Sequence, residues 1–141
     1  MTEGLFVIGF KLDRALRTQL LTRHPPLYAQ AVADHVTLLS PVPETWPLPP
    51  EVTAAIIGEA DDGAGVQAMV ARIDGTSDRP DGGTYHITWS LASGRQAVES
   101  KAVIAKIGWH AFAAPIPITL TATRWPSSRL RSLLPPHRRT T

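Results

Sequence analysis

Hydrophobic and polar positions along this chain fall into short blocks, and most of the blocks predict strands. Residues 4–12 (GLFVIGFKL) are nearly all apolar, the pattern of a buried strand. In the next block Ala15, Leu16, Leu20 and Leu21 recur at helical spacing. Asp13 stands where an N-cap belongs and Pro25-Pro26 stop the run, which predicts a helix over residues 14–23. Residues 34–40 (DHVTLLS) predict a second strand, whereas residues 41–50 hold five prolines and predict no regular structure. Residues 52–60 and 65–73 predict two strands around Asp61-Asp62-Gly63, a hairpin signal. A polar, glycine-rich loop follows at 74–83, and then residues 84–91 (TYHITWSL), where the two sides alternate most clearly. Residues 96–107 predict a helix ended by Gly108, and residues 116–123 (IPITLTAT) a last strand, with Trp125-Pro126 closing the folded part.

The order strand, helix, several strands, helix, strand predicts an α+β domain, with helices packed against a largely antiparallel sheet. The chain's 141 residues fit one domain with a core of its own, assigned here to residues 1–126. No apolar run is long enough to span a bilayer, and the opening residues lack a positive leader and a small-residue cleavage site. Cysteine is absent, which excludes disulfides, thiolate metal sites and a cysteine nucleophile. A cytoplasmic monomer without membrane partners is the simplest expectation. Charge changes the picture at one end. Five arginines (Arg124, Arg129, Arg131, Arg138, Arg139) and no acid occupy the last stretch, so the net charge of +2 leaves −3 on the rest. Residues 127–141 therefore read as a basic, flexible tail, and one that can attract a polyanion.

One short motif occurs twice. His35-Val36-Thr37-Leu38 and His86-Ile87-Thr88-Trp89 share the pattern histidine, aliphatic, threonine, apolar. In a strand, residues two apart share a face, so His35 projects with Thr37 and His86 with Thr88. Val36, Leu38, Tyr85, Ile87, Trp89 and Leu91 then face a core. Two such strands side by side bring two imidazoles and two hydroxyls to one small volume, which suits a phosphate. A neutral imidazole takes a proton from attacking water, and an imidazolium gives one to the leaving oxygen. Threonine hydroxyls donate to the non-bridging oxygens as charge builds there. This chemistry needs no cofactor and no metal. A zinc site on His35 and His86 lacks a third ligand, because nearby Asp34 alternates to the opposite face. One histidine-threonine pair is ordinary strand sequence; two copies with apolar neighbours on the other face are more specific. His24, before Pro25-Pro26, and His137, in the tail, read as surface residues, and His110 lacks such a context.

On these two motifs, HVTL and HITW, the chain resembles the two-histidine (2H) phosphoesterase superfamily, whose hallmark is a pair of H-x-[ST] motifs with apolar flanks. Within it the sequence looks closest to the cyclic phosphodiesterase domain of fungal-type tRNA ligases, or to a bacterial relative of that domain. The resemblance implies a two-lobed fold, with largely antiparallel sheets around a central cleft and helices on the outer faces. It also implies hydrolysis of a 2′,3′-cyclic phosphate, on an RNA end or a small nucleotide, to a 2′-phosphate. The carry-over gives acid–base roles to His35 and His86 and phosphate contacts to Thr37 and Thr88. Further candidate substrate contacts are Ser90, on the His86 face; Lys101, early in the second helix; and Trp46, in the proline-rich loop, as a base-stacking residue. Trp89 alternates into the core instead, and Ser40 falls opposite His35. The competing readings are a non-catalytic RNA-end or nucleotide-binding module of the same fold, and histidine-threonine pairs that serve only as strand residues.

Overall fold

In the computed structural model, which describes residues 5–127, the first apolar block forms β1 (Phe6–Leu12). Ile8, Phe10 and Leu12 are almost fully buried, while alternation turns Val7, Gly9 and Lys11 to the opposite side. Asp13 then caps α1 (Arg14–Arg23), its carboxylate accepting the Leu16 N–H at 2.9 Å. Leu20 is the residue of α1 that reaches the core, with Leu16 and Leu21 packed beside it.

Seven more strands and a second helix complete the described chain. They are β2 (Gln30–Ala31), β3 (His35–Val42), β4 (Ala54–Asp61), β5 (Val66–Ile73), β6 (His86–Leu91), α2 (Glu99–Ile107), β7 (His110–Ile118) and β8 (Leu120–Pro126). They form two sheets, a three-stranded one ordered β3-β1-β8 and a five-stranded one ordered β2-β6-β5-β4-β7. Every pairing is antiparallel, so the architecture is α+β with antiparallel sheets. One core lies between the sheets. Phe10, Leu12, Val36 and Leu120 meet Ile56, Met69, Ile73, Ile87 and Trp89 there, with Leu20 closing it. Full burial of side chains of this size stabilises by roughly 1.5–3 kcal/mol each before entropy is counted. The far face of the larger sheet carries α2, whose Ile104 packs on Ala60, Ala68 and Val70. Gly108 ends α2 with φ +76°, its N–H donating to Ile104 at 2.9 Å.

A short stretch joins the two sheets. After β2 pairs with β6, the N–H groups of Val32 and Ala33 donate to the carbonyls of Trp89 and Thr88 at 2.8 and 2.9 Å. The chain turns at Ala33, where φ is +43°, and continues as β3 in the other sheet. This path lays β3 beside β6.

The structure departs from the sequence reading at three places. β3 extends into the proline-rich stretch as far as Val42, because Pro41 lies on an edge strand at an irregularity of register, where its missing N–H is tolerated. The single strand expected over 116–123 is two strands in different sheets, divided at Thr119. The two-residue β2 has no periodicity to reveal it. Residues 128–141 of the expected tail lie outside the described residues, and Ser127 is tied to Leu5 by a 2.8 Å backbone hydrogen bond. Among the described residues no helix is long and apolar enough to cross a membrane.

Candidate active site

Each histidine motif carries a β-bulge at its fourth residue. Gly9 pairs with Thr37 and Ile8 with Leu39, so Leu38 is an extra residue in β3. Ala68 pairs with Thr88 and Gln67 with Ser90, so Trp89 is an extra residue in β6. A bulge exchanges the two faces of a strand beyond it. His and Thr of each motif therefore share a face, and the residues that follow switch sides. This corrects two expectations from simple alternation. Ser40 comes onto the His35 side. Ser90 leaves the His86 side and is wholly buried, its hydroxyl donating to Gln67 Oε1 at 2.6 Å and accepting from the Tyr28 N–H. It does not line the cleft.

That cleft encloses about 430 Å³ and is lined by His35, Thr37 and Ser40 of β3 and by His86 and Thr88 of β6. Arg79 and Asp81 of the loop before β6, Ala97, Val98 and Lys101 at the start of α2, and Val7, Trp125, Pro126 and Ser127 complete the wall. The two motifs thus share one cavity. A second depression, of about 450 Å³, lies behind Asp34 and is lined by Lys11, Arg14 and Thr121 among others; it contains neither histidine.

Both imidazoles are anchored through Nδ1. His86 Nδ1 lies 2.8 Å from the Thr84 carbonyl, which only accepts, so Nδ1 carries the hydrogen, and among the described residues no hydrogen-bond partner holds Nε2. His35 Nδ1 lies 2.9 Å from Asp34 Oδ2, with the same consequence. Asp34 was expected on the opposite face, but it precedes β3 and alternation does not govern it. Its carboxylate also meets Lys11 at 2.5 Å and Arg14 at 3.2 Å. Burial pushes Asp34 up, yet Lys11 and His35 outweigh it and hold the carboxyl at about 2. His35 is lowered, chiefly by burial, with Asp34 opposing. His86 is lowered too, by burial first, with the Thr84 carbonyl opposing and Arg79 and His35 adding to the effect.

The threonines differ. Among the described residues no hydrogen-bond partner holds the Thr37 hydroxyl, whereas that of Thr88 contacts Ser100 Oγ at 2.8 Å and donates to the Ala97 carbonyl at 3.3 Å. Lys101 does line the cleft, where Asp81 bridges it to Arg79 at 3.0 and 2.6 Å. Arg79 is nearly buried and escaped the sequence reading; its place in a glycine-rich loop just before a motif was the available signal. Trp46 is not part of the cleft. Its carbonyl accepts from Arg124, whose register partner Ile8 faces away from the cleft. The aromatic residue at the site is Trp125, its ring centroid 4.6 Å from that of His35 and edge-on to it. Gly9 makes room for β3 and for this ring, since a Cβ there would lie 2.2 Å from the Val36 carbonyl oxygen and 3.0 Å from the indole.

Among the described residues no group of three or more histidine or carboxylate side chains is arranged to hold a metal ion. No family model, no curated protein and no solved structure matches this chain.

Proposed function

We propose that this chain is a phosphoesterase of the two-histidine type, which hydrolyses a 2′,3′-cyclic phosphate at the end of an RNA or on a related nucleotide. The observation that carries the reading is the pair of imidazoles in one cleft, each anchored through Nδ1, with neither Nε2 hydrogen-bonded among the described residues. Two antiparallel sheets flanking that cleft are also what the resemblance implies.

The reaction follows from these groups. Nε2 of the neutral histidine takes a proton from water as its oxygen bonds to phosphorus. Nε2–H of the other, an imidazolium, protonates the ribose oxygen as its bond to phosphorus breaks, which for the 3′ oxygen leaves a 2′-phosphate. Thr37 donates a hydrogen bond to a non-bridging oxygen, and Arg79 and Lys101 supply positive charge nearby. Ring strain in the cyclic ester favours opening, so positioned acid and base suffice.

The test is steady-state hydrolysis of a 2′,3′-cyclic mononucleotide and of a short RNA with a cyclic phosphate end. His35→Ala and His86→Ala are each expected to lower turnover by roughly 10²–10⁴-fold, the usual worth of a positioned acid or base. A chelator is expected to leave the rate unchanged. Wild-type rates in both histidine variants would overturn the assignment, and tight binding without turnover would mark the chain as a binding module.

A further inference from the structure

We propose that Asp34 is the positioning residue that divides the labour between the histidines, making His35 the more readily protonated of the two, and so the general acid, and leaving His86 as the base. The inference rests on the phosphoesterase reading for its catalytic meaning, but its physical content is independent of turnover.

The two motifs are alike through the threonine and the bulge. They differ in what stands behind the ring. His86 Nδ1–H donates to the neutral Thr84 carbonyl, while His35 Nδ1–H donates to a carboxylate. Either acceptor sets the tautomer. Only the carboxylate adds a full opposite charge within a few ångströms, which favours the protonated ring. Asp34 stays ionised, because Lys11 of β1 and Arg14 of α1 pair with it. Those cations oppose charge on His35, yet neither is bonded to it, and Trp125 meets it edge-on. Around His86 the balance is reversed: Arg79 opposes its protonation, Asp81 opposes Arg79, and Asp81 is itself shared between Arg79 and Lys101. Two neighbouring imidazoles disfavour double protonation, so the first proton settles where the carboxylate is.

Asp34→Asn tests this, because the amide oxygen still accepts from Nδ1–H while the charge is lost. The alkaline limb of the rate profile, where the acid loses its proton, is expected to move down by about one pH unit, the low end of what a close opposite charge contributes. The acid limb should stay in place, and KM should change less than kcat. Kinetic limbs belong to the pair rather than to either ring, so the assignment comes from NMR titration of the imidazoles in intact protein. His35 is expected to titrate above His86 in the wild type, with the order lost or reversed in Asp34→Asn. Asp34 also ties down Lys11 and Arg14, so Lys11→Met provides a second variant of opposite sign: it removes a competing cation and should raise the His35 titration. An unchanged titration order in Asp34→Asn, or a His35 midpoint that falls in Lys11→Met, would overturn the inference. A wild-type protein with no turnover but this titration order would overturn the enzyme reading and keep Asp34's role.

Discussion

Thr37 and Thr88 occupy the same place in their motifs and are bound differently, so equal substitutions should have unequal effects. Thr37 has no hydrogen-bond partner among the described residues. Thr37→Ala is expected to lower kcat/KM while stability stays within about 0.5 kcal/mol, as for other changes that break no internal hydrogen bond. Thr88→Ala takes from the buried Ser100 hydroxyl its partner beneath α2, while the Ala97 carbonyl keeps the Ser100 N–H. It is expected to cost about 1–3 kcal/mol, the penalty of the buried Ser100 hydroxyl left unpaired. Urea denaturation beside kinetics separates the two cases. The histidines also tie stability to pH. Both are lowered from 6.5, so below that value the unfolded chain binds protons that the native state resists. Stability is expected to fall as pH drops from about 6.5 towards the lowered native values. Replacing both histidines with glutamine should flatten the slope of Tm against pH between 7 and 5. Asp34 acts lower on the scale. Held at about 2 against an ordinary 3.8, it adds stability above 3.8 that is lost as pH falls towards 2.

At the scale of elements, the sequence disclosed what periodicity and punctuation encode. Asp13 and Gly108 mark one end each of α1 and α2, and Asp61-Asp62-Gly63 marks the β4–β5 hairpin. The shared face of His35 with Thr37, and of His86 with Thr88, was legible from alternation. Ser40 and Ser90 were misplaced because a bulge reverses alternation, and Leu38 and Trp89 look like ordinary apolar strand residues. Asp34, Arg79 and Trp125 were missed as site residues for another reason. They sit at a strand's start, in a loop and on a strand expected to end sooner, and only tertiary pairing brings them to the cleft. Two substitutions probe the elements. Asp13→Ala removes the cap of α1 and should cost about 1 kcal/mol, read from thermal or urea unfolding. Gly9→Ala places a methyl against the backbone of β3, which has little room to yield. It should destabilise by about 1–3 kcal/mol, the range for overpacking, and displace Trp125, visible as a shift in tryptophan emission.

For the molecule as a whole, charge and connectivity matter most. The part before Arg124 carries −3, and four of the five final arginines lie beyond the described residues. A chain ending at Ser127 is expected to hydrolyse a cyclic mononucleotide at the full rate. Its binding to cyclic-phosphate-ended RNA should depend less steeply on salt, by roughly 0.7 in the logarithmic slope for every phosphate that an arginine no longer neutralises. Filter binding across a salt series measures this. Connectivity bears on how the protein is made. Strand β8 pairs along the whole of β1, with Phe6 opposite Pro126, so β1 waits on the ribosome for a strand made more than a hundred residues later. Neighbouring hairpins can bring β4, β5 and β6 together while synthesis is still under way. Until residues 120–126 emerge, β1 and β3 form only a two-stranded ribbon, which is marginal in water. Trp125 arrives with β8, and with it the wall behind His35. The nascent chain therefore gains its cleft in one late step, and ribosome-bound chains stalled before residue 120 should fold their β4–β5–β6 meander yet present no finished site.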